Sequence, residues 1–166
     1  MAVTQERLKE LLTYSPETGL FYWLAKRGRR QTKRPAGTKT HYGYNGIRVD
    51  GVTYGAHRLA ILYVTGAMPI ADVDHIDGDV SNDRLSNLRE CTHGQNQKNM
   101  KRHADNSSGF KGVYTATKGR SWFAQIHSDG VLHYLGSFST KDEAAAAYDG
   151  AAMSLHGEFA RLNEAA

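Results

Sequence analysis

Between Val73 and Asn96 the chain concentrates groups that bind cations and move protons. Asp74 and His75 stand side by side at the end of a short apolar run, Asn87 follows a polar loop, and Asn96 falls just inside an expected helix. A carboxylate and an amide oxygen are hard donors suited to Mg²⁺ or a similar cation. A neutral imidazole takes a proton from water near neutral pH. Together these groups could hydrolyse a phosphodiester.

Local rules suggest how they are positioned. Asp77-Gly78 and Ser81-Asn82-Asp83 are turn signals, so the chain is expected to reverse between Val73–Ile76 and Leu88–Cys91. Thr92, followed three residues later by Gln95, is a capping-box pattern that starts a helix. The unit therefore reads strand, loop, strand, helix. Neighbouring strand residues point to opposite faces, so Asp74 and His75 diverge unless the strand ends or bends there. Asp77, Asp79 and Asp83 read most simply as solvated turn residues. A calcium loop is rejected, because no Glu closes the pattern. Asn99 competes with Asn96 as the last ligand, and His93 at the helix start reads as exposed or structural.

This stretch resembles the HNH nuclease family, the ββα-metal fold, on Asp74-His75, Asn87 and Asn96. His57-Arg58-Leu59, Asn87-Leu88-Arg89 and Gln95-Asn96-Gln97-Lys98-Asn99 add to the likeness. The resemblance implies that Asp74 and Asn96 hold one divalent cation, Mg²⁺ or Mn²⁺, and that His75 activates water. Asn87 would hold the loop and orient the His75 ring.

The bulk numbers fit such a protein. The chain has 166 residues, 40% of them hydrophobic, and a net charge of +4, which leans towards a polyanionic partner. Its 1 Cys excludes an internal disulfide and a Cys-rich zinc site, and Cys91 reads as a packed strand residue. No apolar run approaches membrane length, and Met1-Ala2-Val3-Thr4 begins no signal peptide. The expectation is a soluble, cytoplasmic protein with no membrane partner.

Thr4 is expected to cap a helix running through Thr13, with Leu8, Leu11 and Leu12 on one side. Leu20–Leu24 reads as a strand after the turn at Ser15–Gly19. The basic block that follows, with Lys26, Arg27, Arg29, Arg30, Lys33 and Arg34, reads as a contact for DNA phosphates. Asp50-Gly51 joins Ile47–Val49 to Val52–Tyr54 as a hairpin, and Ala56–Thr65 reads as a helix stopped by Gly66. His57 and Arg58 at its start read as structural contacts of the catalytic core in preference to phosphate contacts.

Asn106-Ser107-Ser108-Gly109 reads as a linker between a domain at 1–105 and one at 106–166. Phe110–Thr115, Ser121–Ser128 and Val131–Ser137 read as three strands, with Asp129-Gly130 turning between the last two. Thr140 with Glu143 is a second capping box. The helix it opens has Ala144, Ala147, Tyr148, Ala151, Ala152 and Leu155 at core spacing and ends near His156. The expected fold class is α+β.

Phe110-Lys111-Gly112-Val113-Tyr114, Trp122-Phe123-Ala124-Gln125-Ile126, Tyr134-Leu135-Gly136-Ser137-Phe138 and Glu143–Asp149 make this region resemble the APETALA2-type DNA-binding domain. The resemblance implies a three-stranded antiparallel sheet packed on one helix, with the sheet laid in the DNA major groove. Lys111, Tyr114, Lys118, Arg120, Gln125, His127 and Tyr134 would face DNA. Alternation puts Trp122, Ala124 and Ile126 on the helix side, and Phe123, Gln125 and His127 on the other. The chain departs from the plant pattern at Tyr114, Ala116, His127 and Leu132, where arginine commonly sits.

Two functions follow from these expectations. The first is a metal-dependent endonuclease acting on double-stranded DNA, of the phage or homing type, working in a bacterial host cell as a monomer or weak dimer. The second is a DNA-binding regulator that keeps an inactive nuclease fold.

Overall fold

The computed structural model describes residues 2–24, 31–102, 106–116 and 121–163, with no side-chain description at 31–33. Two compact units divide the chain, Met1–Thr92 and His93–Ala166. The division assigns the helix after Thr92 to the second unit. Among the described residues no helix is long and apolar enough to cross a membrane.

The first unit opens with α1 (Gln5–Leu11), whose first turn is capped by the Thr4 hydroxyl accepting from the Arg7 N–H at 3.2 Å. The helix stops two residues before the expected Thr13. Leu12 is already extended, and β1 (Leu12–Ser15) pairs antiparallel with β2 (Leu20–Leu24). The ladder to Trp23 and Tyr22 wins over one more helical turn, because Leu12 and Tyr14 then both reach the core. β3 (Gln31–Pro35) completes this sheet. A second sheet holds β4 (Thr38–Lys39), β5 (Asn45–Val49) and β6 (Val52–Gly55). Asp50 and Gly51 both take positive φ, 45° and 86°, as a two-residue turn between twisted strands requires. α2 (Ala56–Thr65) ends on left-handed Gly66.

Leu8, Leu12, Phe21, Ile47, Val49 and Leu59 form the buried centre of this unit, and the rings of Tyr14, Phe21 and Tyr63 meet there in tilted and edge-on contacts. Burying each such side chain contributes about 1.5–3 kcal/mol. Leu88 packs against this core at the start of β8 (Leu88–Cys91), which pairs with β7 (Asp72–His75) in a polar hairpin. Cys91 is buried, as a packed strand residue should be.

The second unit begins with α3 (His93–Lys98). β9 (Val113–Thr115), β10 (Trp122–Ser128) and β11 (Val131–Phe138) form one antiparallel sheet in the order β11-β10-β9. α4 (Lys141–His156) packs on it, opened by the complete Thr140–Glu143 capping box. Val113, Ala124, Ile126, Ala144, Tyr148 and Ala152 form its core. The buried stripe of α4 differs from expectation at three residues. Ala145 and His156 are buried, whereas Leu155 is exposed. His156 lies inward because its Nε2 bonds the His127 carbonyl at 2.9 Å.

Candidate active site

β7 and β8 pair Asp74 with Arg89 and His75 with Leu88. Strand alternation sends the Asp74 and His75 side chains to opposite faces. On one face Asp74 is buried, and Arg89 reaches its Oδ2 through Nε at 2.9 Å and Nη2 at 2.7 Å. This two-nitrogen contact offsets the cost of burying a carboxylate. On the other face the His75 ring is 3% exposed, and its Nε2 lies 3.0 Å from Oδ1 of Asp83, itself 2% exposed.

Asp83 is therefore not the solvated turn residue expected from local sequence. The turn between β1 and β2 holds it in place. The Tyr14 hydroxyl donates to the Asp83 carbonyl at 2.7 Å, and Arg84 Nε donates to the Glu17 carbonyl at 2.6 Å. Gly19, at φ 73°, approaches so closely that an added Cβ would stand 2.5 Å from Asp83 C and Arg84 N. Burial pushes the Tyr14 phenol up to about 12, with the Asp83 charge adding to the shift.

His57, from the first turn of α2, places its ring 5.3 Å from that of His75, and Tyr44 flanks both rings. It is a structural contact of the core, as expected. Its Nδ1 is buried with no hydrogen-bond partner. Burial above all, then the neighbouring His75, lowers its pKa to about 4, with Arg58 adding to the effect and Asp83 opposing it. Arg58 is structural too, donating to the carbonyls of Ala71 and Pro69 just before β7. One donor atom each from His57, His75 and Asp83 lies within 4.8 Å of the others, close enough to hold a metal ion. This nitrogen-rich set suits borderline transition metals, whereas a carboxylate and an amide oxygen suit Mg²⁺.

The loop from Ile76 to Asn87 is closed by Asn87. Its Oδ1 accepts from the Asp77 N–H at 3.0 Å, and its Nδ2 donates to Asp77 Oδ1 and the Asn82 carbonyl, both at 2.9 Å. The residue's place in the structure is thus that of a loop staple. Burial raises the Asp77 pKa, but hydrogen bonds from Asn82, the Asp79 N–H and Asn87 outweigh it and leave it lowered.

Sequence reasoning missed Asp83 as the partner of His75. Its spacing eight residues beyond the histidine, on the far side of a turn, is the only local signal. Tyr14 carries none, because its contact spans 69 positions.

In the second unit Asn96 is half-buried on α3, and Asn99 is buried just beyond it. The Lys111 ammonium donates to the carbonyls of Lys98 at 2.8 Å and Met100 at 2.6 Å. Burial, helped by Arg161, pushes its pKa down to about 8. Tyr114 stacks on Phe123 at 5.4 Å, and Phe123 neighbours Tyr134 at 6.4 Å, on the sheet face away from α4. Tyr134 and His127 are exposed and Gln125 is half-buried. Arg34 in the first unit is exposed as well. Lys26, Arg27, Arg29, Arg30, Lys118 and Arg120 lie outside the described residues, as does the Lys33 side chain.

Comparison with known proteins places this geometry in context. The HNH endonuclease family model matches residues 54–98. Protein 3.8 of Escherichia phage T7 is 36% identical over 92 residues, covering 54% of this chain and 74% of that protein. An uncharacterized HNH endonuclease, L560, of Acanthamoeba polyphaga mimivirus is 36% identical over 92 residues, covering 55% of this chain and 46% of the viral one. Dehydration-responsive element-binding protein 2D of Arabidopsis thaliana is 47% identical over 62 residues, covering 36% of this chain and 30% of the plant protein. A solved structure of DNA binding and cleavage by the HNH homing endonuclease I-HmuI aligns over 88% of this chain and 85% of its own, with TM-score 0.39 and 21% identity.

Proposed function

The chain belongs to the HNH endonuclease family, and from that premise we propose that it is a metal-dependent endonuclease that hydrolyses phosphodiesters of double-stranded DNA. One observation carries the reading. The family match at 54–98 contains Asp74, His75, Asn87 and Asn96, and within it His75 sits in a buried polar cluster held from outside the match by Tyr14 and Gly19. His75 takes the proton from the attacking water. Asn87 keeps the loop beside His75 closed.

Asp74 and Asn96 are the residues that would hold one divalent cation, Mg²⁺ or Mn²⁺. Their donor chemistry fits such an ion, since a carboxylate and an amide oxygen are both hard ligands. When bound, the cation supplies positive charge to the scissile phosphate and the departing 3′ oxygen. Arg89 orients the Asp74 carboxylate.

Residues 106–166 form a DNA-docking domain of APETALA2 type, whose aromatic sheet face and flanking basic residues contact the duplex. The 47% identity to the plant protein over 62 residues supports this part of the reading. The basic block at 26–34 adds phosphate contacts. The phage relative supports a phage-type enzyme, and we propose that it acts in the cytoplasm of a bacterial host. One catalytic set per chain makes a nick the product of a monomer or weak dimer.

Supercoiled plasmid incubated with purified protein should become nicked circle in Mg²⁺ or Mn²⁺ and stay supercoiled in EDTA. Plasmid that remains intact in every metal, with gel-shift binding retained, would instead identify a DNA-binding regulator, the reading that the plant relative favours.

A further inference from the structure

We propose that Lys111 is a positioning residue for the metal ligand Asn96, its ammonium anchoring the C-terminal end of α3 instead of meeting a DNA phosphate. The inference rests on the reading of Asn96 as a ligand of the divalent cation. α3 needs an anchor. It has six residues, none of them buried, so it has neither the length nor an apolar face to hold its own place. Its last turn closes through the N–H groups of Asn99 and Met100, which reach the carbonyls of Asn96 and Gln97, both at 3.2 Å. The carbonyls beyond are those that a helix end leaves for other donors. Lys111 Nζ takes two of them, Lys98 at 2.8 Å and Met100 at 2.6 Å. Lys98 Nζ adds a second tie, to Asp129 Oδ1 at 3.2 Å in the turn between β10 and β11.

Lys111 is itself held firmly. Asn163 clamps its backbone, with Oδ1 accepting from the Lys111 N–H at 2.7 Å and Nδ2 donating to the Lys111 carbonyl at 3.3 Å. Asp149 on α4 fixes Asn163 in turn, its Oδ1 accepting from the Asn163 N–H at 2.9 Å and from Nδ2 at 3.0 Å. A hydrogen-bonded path therefore runs from α4 through Asn163 and Lys111 to the end of the helix that carries Asn96. The ammonium is half-buried and donates to two carbonyls, so it is engaged before any phosphate arrives. Partners that orient a metal ligand without touching the metal typically change its affinity by about 10–100-fold.

The test uses the full chain and Mn²⁺ as the probe. Electron paramagnetic resonance of free Mn²⁺ gives the affinity without DNA, and amide hydrogen exchange of the metal-free protein reports on α3. Lys111→Met, which keeps the reach and loses the donors, should weaken Mn²⁺ binding about 10-fold and speed exchange of the α3 amides. Its gel-shift affinity for DNA and the salt dependence of that affinity should stay nearly unchanged. Lys111→Arg, which can donate to the same carbonyls, should restore most of the Mn²⁺ affinity. Asn96→Ala should weaken Mn²⁺ binding by itself, and adding Lys111→Met to it should have no further effect. Nicking by Lys111→Met should need more metal for its half-maximal rate and return close to the original rate at saturating metal.

Mn²⁺ affinity that drops in Asn96→Ala but not in folded Lys111→Met overturns the proposal alone. So does an equal further loss when the two are combined, because the lysine would then act elsewhere. A Lys111→Met protein that loses only DNA affinity, with a salt slope shallower by about 0.9, marks a phosphate contact and overturns it too. Mn²⁺ affinity untouched by Asn96→Ala removes Asn96 as the ligand and takes the proposal with it. If Lys111→Met does not fold, Lys111→Gln, which keeps a donor for one carbonyl, decides by the same combination with Asn96→Ala. The binding and exchange readouts hold even for a protein that binds DNA without cutting it.

Discussion

The hairpins β7–β8 and β10–β11 are built by the same antiparallel pairing and bury opposite kinds of residue. β7–β8 hides Asp74 and His75, with Asp83 brought in from the loop. β10–β11 hides Ala124 and Ile126 under α4 and leaves Leu132 and Tyr134 in the open. Burying ionisable groups costs several kcal/mol each and is recovered only through well-made hydrogen bonds. Exposing large apolar groups forgoes burial that the fold could have used. Each hairpin gives up stability in a different way, one consistent with chemistry and the other with binding. The contrast predicts that damage to the first hairpin changes rate, and damage to the second changes affinity.

The largest effect expected is on the base. His75→Ala should slow nicking by about 10²–10⁴-fold while gel-shift affinity and the circular dichroism spectrum remain those of the natural protein. Near-normal nicking would sink the assignment. On the metal side, Asp74→Ala should abolish nicking even in excess Mg²⁺, and Asn96→Asp should retain it, because a carboxylate replaces the amide oxygen as ligand. Should Asn99→Ala kill activity and Asn96→Ala spare it, the ligand is Asn99.

Two glycines sharpen the comparison. A Cβ on Gly112, at φ 72°, would stand 2.0 Å from the Tyr148 ring, and one on Gly19 would strike the Asp83 backbone. The unfavourable φ alone costs about 1–3 kcal/mol at each. Gly112→Ala should lower the melting temperature and weaken DNA binding, yet leave the rate at saturating DNA intact. Gly19→Ala should do the reverse, slowing turnover at unchanged affinity. Equal effects of the two on kcat would erase the division between the units.

His57 gives a pH dependence. Its folded pKa, about 4, lies below the ordinary 6.5. As pH falls from 6.5 towards 4, the unfolded chain takes up a proton that buried His57 refuses. Stability present above pH 6.5 is therefore lost in that window, by about 2–3 kcal/mol. Thermal melts of the natural protein should fall steeply from pH 7 to pH 5, and His57→Phe should flatten the fall. Parallel melting curves for the two proteins would show that His57 is not the group responsible.

The smallest effect concerns the basic block. Replacing Arg27, Arg29, Arg30 and Arg34 with Ala should flatten the salt dependence of binding, by about 0.9 in log–log slope for each phosphate that is no longer neutralised. A slope identical to that of the natural protein would remove the block from the interface.

Much of the fold was legible because its signals are local. Thr4 as a cap, Asp50-Gly51 and Asp129-Gly130 as turns, Gly66 as a stop and the Thr140–Glu143 box each act over a few residues, where backbone sterics and one hydrogen bond decide the outcome. The alternation that buries Ala124 and Ile126 is equally local. The candidate site was legible as a set of residue types, Asp74, His75, Asn87 and Asn96, and the family match covers them. Only the tertiary structure decided what surrounds them. Asp83 reads as a solvated turn residue until Tyr14, 69 positions away, and Gly19 close over its backbone and press its carboxylate onto His75. Leu12 reads as helical until strand pairing with Trp23 overrides the last turn of α1. Lys111 is expected to face DNA, and only the folded chain shows the carbonyls of Lys98 and Met100 holding its ammonium. In each case the winning interaction joins residues too far apart for any local pattern to register, and the energy that selects it exists only once the core has closed.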